Sequence, residues 1–308
     1  INALDLATVS ESIVSANDGE TIIGTLDGSM LNVGENTTST SILTVQNNST
    51  VNLSGGDNTI ETVNSSTVET SGNTTKTTIE TALNNSSIIN QSGTVNITTL
   101  GSSDENTSPS TFTQNSGNST IQNAINSTVD INGGTATITS ASSSNLDLDG
   151  GQTTVNSGSD LTIAINNNAT LNIQAAQNQN LLSGDTINAD NTKTAAMIIG
   201  NGASVNLTGG DISGGTINLA ASTAQEGDET NEGVLNLANG ETTISSALSG
   251  AGTINKTSGG TLTLKNTNNS QFKGNINVAN KGINKGILTF DQDSMLSSDA
   301  DINLNNST

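Results

Sequence analysis

The sequence predicts an all-β chain, folded as a right-handed parallel β-helix of about 17–25 residues per coil. Three observations carry this reading. A short motif recurs at roughly constant intervals, aliphatic residues alternate with polar ones over three to five positions, and glycine or asparagine interrupts each run. Period-two alternation buries one face of a short strand. Glycine enters a left-handed turn without a Cβ clash, and asparagine tolerates one. Frequent glycine and the period of two together exclude helical repeats.

The motif is clearest in Val51-Asn-Leu-Ser-Gly-Gly56, Val129-Asp-Ile-Asn-Gly-Gly134, Leu146-Asp-Leu-Asp-Gly-Gly151 and Val205-Asn-Leu-Thr-Gly-Gly210. Looser copies begin at Val95, Leu171, Ile217, Leu235 and Leu262. Val51 and Val68 lie 17 positions apart, and Val68 and Ile88 lie 20 apart. Leu171 and Val205 lie 34 apart, which reads as two periods of 17. Two or three short strands per interval leave no room for a crossover helix. Stacked coils, each strand pairing with its counterpart about 4.8 Å along the axis, satisfy the pattern. Parallel crossovers coil right-handed by default.

Inside such a coil the aliphatics form columns. Each buried Val, Ile or Leu contributes about 1.5–3 kcal/mol. Val51, Val129, Leu171, Val205, Leu262 and Leu264 are expected to point inward. Four places before the first aliphatic stand Asn47, Asn64, Asn84, Asn167 and Asn201. These are expected at equivalent turns, either stacked amide on amide as an internal ladder or solvated. Two places before the aliphatic stands a small residue, such as Ser49, Ser66, Ser86, Ser127, Ala169 or Ala203, which suits a tight inward corner.

Composition separates folded from disordered readings and removes whole classes of chemistry. The chain is polar and acidic, but Val, Ile and Leu are regularly spaced and Pro109 is the single proline. A disordered chain lacks that regularity. The net charge is −21, and five of the seven lysines fall between Lys256 and Lys285. Nucleic acids and anionic membrane surfaces need a basic patch that the first 255 residues do not offer. No apolar run approaches the length of a membrane span. With no His and no Cys, neither a Ser-His-Asp triad nor a zinc site of the usual kind can be built. A glycosidase or lyase groove commonly combines basic groups or a carboxylate pair with aromatic subsites, and here Arg, Trp and Tyr are absent and lysine is almost missing before residue 256. The sequence therefore predicts no enzyme and no cofactor.

Calcium is the one ion with abundant oxygen ligands. Asp147-Leu-Asp149 and Asp291-Gln-Asp293 place carboxylates two apart, on alternation that points them outward, where solvated acids are the expected state. Three stretches break the rhythm, near residues 99–111, 174–194 and 221–233. Loops inserted between rungs are where a solenoid usually binds its partner. Asp104, Glu105 and Asn106 in the first loop, and Glu226, Asp228, Glu229 and Glu232 in the third, are thus candidate binding residues, or polar drift in solvated loops.

From Leu248 the texture changes. Leu248-Ser-Gly-Ala-Gly-Thr-Ile-Asn-Lys256 is followed by Gly260-Thr-Leu-Thr-Leu-Lys-Asn266, then Phe272-Lys-Gly274, then Gly286-Ile-Leu-Thr-Phe290. This segment, residues 248–290, resembles the passenger-associated transport repeat of classical bacterial autotransporters. Gly250, Gly252, Lys256, Gly260, Leu262, Leu264, Asn266, Gly274 and Gly286 match that repeat in order. Ser258 stands where a glycine is usual, and residues 280–285 are inserted. The resemblance implies that residues 1–247 are passenger coils and that a β-barrel translocator lies downstream. It also implies display outside the cell, at the bacterial outer-membrane surface. Asp299-Ala-Asp-Ile-Asn-Leu304 resembles the start of a further coil within 291–308.

Three functions fit these expectations. The first is a surface adhesin module, its partner being copies of itself on neighbouring cells or a host surface receptor. The alternatives are a passive spacer or surface coat, and the shaft of a secreted toxin whose active part lies elsewhere. Self-association would use a long polar face, whereas receptor binding would concentrate on an inserted loop.

Overall fold

A computed structural model describes residues 3–104, 106–159, 161–165, 169–174, 180–183, 196–199, 204–208, 210–213, 216–221, 232–238, 240–257, 259–266, 269–279, 286–291 and 296–305. Every described element is a β-strand, and the strands stack in parallel as a β-solenoid. The chain divides into two compact units, Ile1–Asn145 and Leu146–Thr308.

In the first unit each regular coil has one short and one long strand. The short strands Thr50–Leu53, Thr67–Thr70, Ser87–Asn90, Ser110–Gln114 and Ser127–Ile131 stack in register, Val51 on Val68, Ile88, Phe112 and Val129. The paired residues are 17, 20, 24 and 17 positions apart, the range expected from the motif. The long strands include Asp57–Asn64, Lys76–Leu83, Thr94–Gly101, Asn118–Ile125 and Thr135–Ser142. They turn a corner midway. Ile60 and Val63 are both buried although three apart, so Glu61 and Thr62 lie outside a bend. Ile42, Ile60, Ile79, Ile97, Ile121 and Ile138 form one inward column of a single residue type.

Two corners close each coil. In the motif the second glycine takes the left-handed conformation, with φ 75° at Gly56, 79° at Gly134 and 71° at Gly151. A side chain there would also meet backbone of the neighbouring coil, Thr37 O at Gly56 and Gly117 O at Gly134. At the other corner the residue after the long strand is left-handed: Gly28, Asn47, Ser65, Asn84, Asn126 and Ser143. A serine follows within two residues and turns inward. Ser29, Ser49, Ser66, Ser86, Ser127 and Ser144 are all buried, as is Ser110, which is reached across an inserted loop. Except at Ser110, whose buried hydroxyl has no hydrogen-bond partner among the described residues, these hydroxyls bond from coil to coil. Ser29 N donates to Ser49 Oγ at 3.1 Å, Ser49 N to Ser66 Oγ at 3.2 Å, and Ser127 N to Ser144 Oγ at 3.2 Å. Hydroxyls of this column also donate to backbone carbonyls, as Ser66 does to Asn64 O at 3.0 Å. These corner N–H groups are thus satisfied within the protein, as buried polar groups require.

In the second unit each coil uses three short strands. One stack runs Thr170–Gln174, Ser204–Thr208, Val234–Leu237, Thr253–Lys256, Asn275–Ala279 and Asp301–Asn305. Leu171 pairs directly with Val205, so the interval between them is one long coil and not two short ones. The extra length lies between strands, which leaves the register intact. Ile217 and Leu262 fall on two further faces, where they pair with Leu248 and Thr242, so these looser motif copies are not equivalents of Val205. Leu171, Leu262 and Leu264 are buried, as are Val51 and Val129 in the first unit. Val205 lies on a strand whose side chains fall outside the described residues.

Candidate functional site

The first inserted loop leaves the solenoid after Gly101 and returns at Ser110, so residues 99–101 and 110–111 belong to strands. Asp104 organises it. Its carboxylate accepts hydrogen bonds from the Asn106 backbone N–H and side-chain amide, both at 3.0 Å. These two bonds, the backbone one first, hold its carboxyl below the usual carboxylate range. Asp104 O also accepts from Thr107 N at 3.0 Å and Thr107 Oγ1 at 2.7 Å. The side chains of Asp104 and Asn106 are therefore occupied with each other, in an exposed turn. Glu105 lies outside the described residues.

Of the third loop, Glu226, Asp228 and Glu229 lie outside the described residues, as does most of residues 174–194. Glu232 is described at the loop's base, where Thr253 Oγ1 donates to its Oε1 at 2.6 Å. That bond ties the returning chain to the next coil.

The asparagines expected as an internal ladder sit differently. Asn47 and Asn84 share the left-handed corner column with Ser65, whereas Asn64 falls one place earlier, as the last residue of its strand. The reason is a one-residue difference. The corners at Asn47-Asn48 and Asn84-Asn85 have two left-handed residues before the serine, and that at Ser65 has one. All three asparagines lie on the outer side of the turn, exposed or half-buried. Asn47 Nδ2 donates to Asp27 Oδ1 at 2.7 Å, and Asn84 Nδ2 to Asn64 Oδ1 at 2.9 Å. The internal ladder at this corner is made by serine. Asn167 and Asn201 lie outside the described residues.

An amide ladder does exist, on the outward position between the two motif aliphatics. In the second unit Asn236, Asn255, Asn277 and Asn303 hold this position in consecutive coils, in backbone register with Asn172 and Asn206, whose side chains lie outside the described residues. Asn255 Nδ2 donates to Asn236 Oδ1 at 3.0 Å, Asn277 to Asn255 at 2.9 Å, and Asn303 to Asn277 at 2.9 Å. These donors all point the same way along the stack. The first unit has a shorter version, with Asn52 donating to Asn32 at 2.7 Å. The sequence signal for this column is the Asn inside the motif itself, not the asparagine of the preceding turn.

Asp147 is exposed between buried Leu146 and Leu148. Partial desolvation, and then neighbouring Asp149, raise its carboxyl above the usual range. Asp291 is exposed, and Asp293 lies outside the described residues. Among the described residues no group of three acids converges as a metal site would require.

Within residues 248–290 the strands continue the upstream stacks. Asn269 is buried there, accepting from Leu248 N at 2.9 Å and donating to Asn266 O at 2.8 Å. Lys256 is fully buried at an inward position between Leu237 and Val278. Its Nζ donates to Ala238 O at 2.7 Å and Gly259 O at 3.0 Å, and burial lowers its pKa. Among the described residues no helix is long and apolar enough to cross a membrane. In comparisons with protein-family models, curated proteins and solved structures, nothing matches the chain.

Proposed function

We propose that this chain is a non-catalytic surface module of the autotransporter-passenger type, which holds cells to one another or to a host surface. The supporting resemblance is the segment Leu248–Phe290, and its expected setting is the outside of a bacterial cell. The observation that carries the reading is the outward amide column. A row of side-chain amides, running from Asn236 to Asn303 among the described residues, offers a second surface several equivalent hydrogen bonds. Each contributes only about 0.5–1.5 kcal/mol net, so contacts count when summed along a stack and between many displayed copies.

The net charge of −21 opposes close approach of two copies. Self-association is therefore expected to be weak and to strengthen with ionic strength or calcium. Sedimentation of the 308-residue chain across salt and calcium, paired with settling of cells that display it, tests this. A strictly monomeric chain in all conditions, with no settling, would move the reading to receptor binding by an inserted loop or to a spacer.

A further inference from the structure

Exposed large apolar side chains are confined, among the described residues, to positions 13–43 and 287–304. Ile302 and Leu304 in the second group continue buried columns onto the last described coil. In the first group Ile13 pairs on one side only, whereas Ile22, Met30 and Leu43 point outward from strands covered on both sides.

Ile22 is 39% exposed and Leu43 54% exposed, and together they border a groove of about 360 Å³. Two outward columns form it. One runs Ile22, Ser41 and Thr59 in register, and the small Ser41 leaves a depression between its larger neighbours. The other runs along the bend of the long strands, through Gly24, Leu43, Glu61 and Glu80, each flanked by paired residues. A side chain at Gly24 would collide with the Ala7 carbonyl oxygen, so this end of the groove stays bare. The groove is thus apolar at one end and doubly acidic at the other.

Glu61 and Glu80 occupy equivalent places on adjacent coils, about 5 Å apart along the stack. Both are exposed, and neither has an ion-pair partner among the described residues. Two like charges at that spacing repel, and a cation between them relieves the repulsion. Residues 1–75 contain nine acids and no base, which deepens the negative field around the groove. An amphiphile with an aliphatic end and a cationic end matches this order.

We propose that the groove binds a short extended peptide segment with an aliphatic side chain over Leu43 and lysine or arginine against Glu61 and Glu80. Leu43 and Glu80 are two coils apart, about 10 Å, which three or four residues of extended chain span. The site is distinct from the amide column, none of whose asparagines lines the groove.

A fluorescent Leu-Ser-Lys-Ser-Lys peptide, titrated into the 308-residue chain at low salt, tests this by anisotropy. Leu43→Ala and the pair Glu61→Gln/Glu80→Gln are each expected to weaken binding about tenfold, with Ser41→Phe, which fills the groove, doing the same. Glu35→Gln, which removes an exposed acid away from the groove, should leave affinity within a factor of about two. The strand signature in circular dichroism should persist in every variant, since all the replaced side chains are outward. Equal binding of a Lys-Ser-Lys-Ser-Ala peptide, or equal loss with Glu35→Gln, would reduce the effect to general attraction by an acidic chain and overturn the proposal. No peptide binding, combined with loss of sedimenting dimers in the groove variants, would also overturn it and make a second copy the occupant.

Discussion

The two units solve the same stacking problem with different tolerance for insertion. In Ile1–Asn145 the long strand bends without leaving the sheet, and a left-handed residue followed by a buried serine closes the corner. Stacked residues there are 17–24 positions apart. In Leu146–Thr308 the coil breaks into three short strands, and successive members of one stack are 34, 30, 19, 22 and 26 positions apart. Register nevertheless holds along the six asparagines. Insertion costs little where strands are already separate, since lengthening a connecting loop adds little closure entropy. In the first unit the insertion at residues 102–109 falls at the serine corner, where Ser110 still turns inward but its hydroxyl loses the hydrogen bonds that the other serines make.

The largest test of this contrast is a buried charge placed in each unit. Ile79→Asp in the isoleucine column should cost more than about 4 kcal/mol. Hydrogen exchange should show lost protection in Asp57–Asn64 and Thr94–Gly101, the strands that flank it. Leu237→Asp should open a smaller patch, because its strand spans only Val234–Leu237. Uniform loss of protection across a unit in either case would contradict nearest-neighbour stacking.

Ser66→Ala removes both an acceptor for Ser49 N and a donor to Asn64 O. We expect a loss of about 1–2 kcal/mol by chemical denaturation, and no measurable change would deny the serine column its role. Lys256→Met probes the second unit through pH. Burial places the folded pKa of Lys256 below its ordinary value of 10.5, so between the two values the unfolded state holds more protons and stability rises with pH. The wild-type chain should therefore gain up to a few degrees in melting temperature relative to Lys256→Met as pH climbs toward 10.5. A pH-independent difference would mean that the ammonium is not desolvated. Asn255→Ala, in the outward ladder, should cost the least, at most about 0.5–1 kcal/mol. Under the proposed function, its effect is expected in cell settling more than in melting.

The solenoid was legible because its signals are local. Alternation around Val51, the glycines at 55–56 and the small residue at Ser49 each have a direct physical consequence in one coil. What sequence could not order was the number of positions around a corner. One extra left-handed residue at Asn48 or Asn85 shifts every position counted back from the next strand, and this displaces Asn64 from the column of Asn47 and Asn84. The same limit makes the interval from Leu171 to Val205 read as two coils, since an insertion and an extra coil have the same length. The groove at Ile22 and Leu43 was invisible for another reason. Its walls come from four coils, and single outward aliphatics carry no signal until register brings them together.

Coil-by-coil stacking also dictates how the first unit should behave under load. The hydrogen bonds between coils run along the stacking direction, so tension applied along that direction pulls on one interface at a time. Each rupture would free a single turn of chain, which is the 17, 20 or 24 positions between stacked partners. Extended chain of that length is a step of roughly 60–80 Å. The turn carrying the Asp104 loop would yield the longest step. A stack that yields in this way would dissipate work in many small steps, with each freed turn able to re-form against the coil still standing.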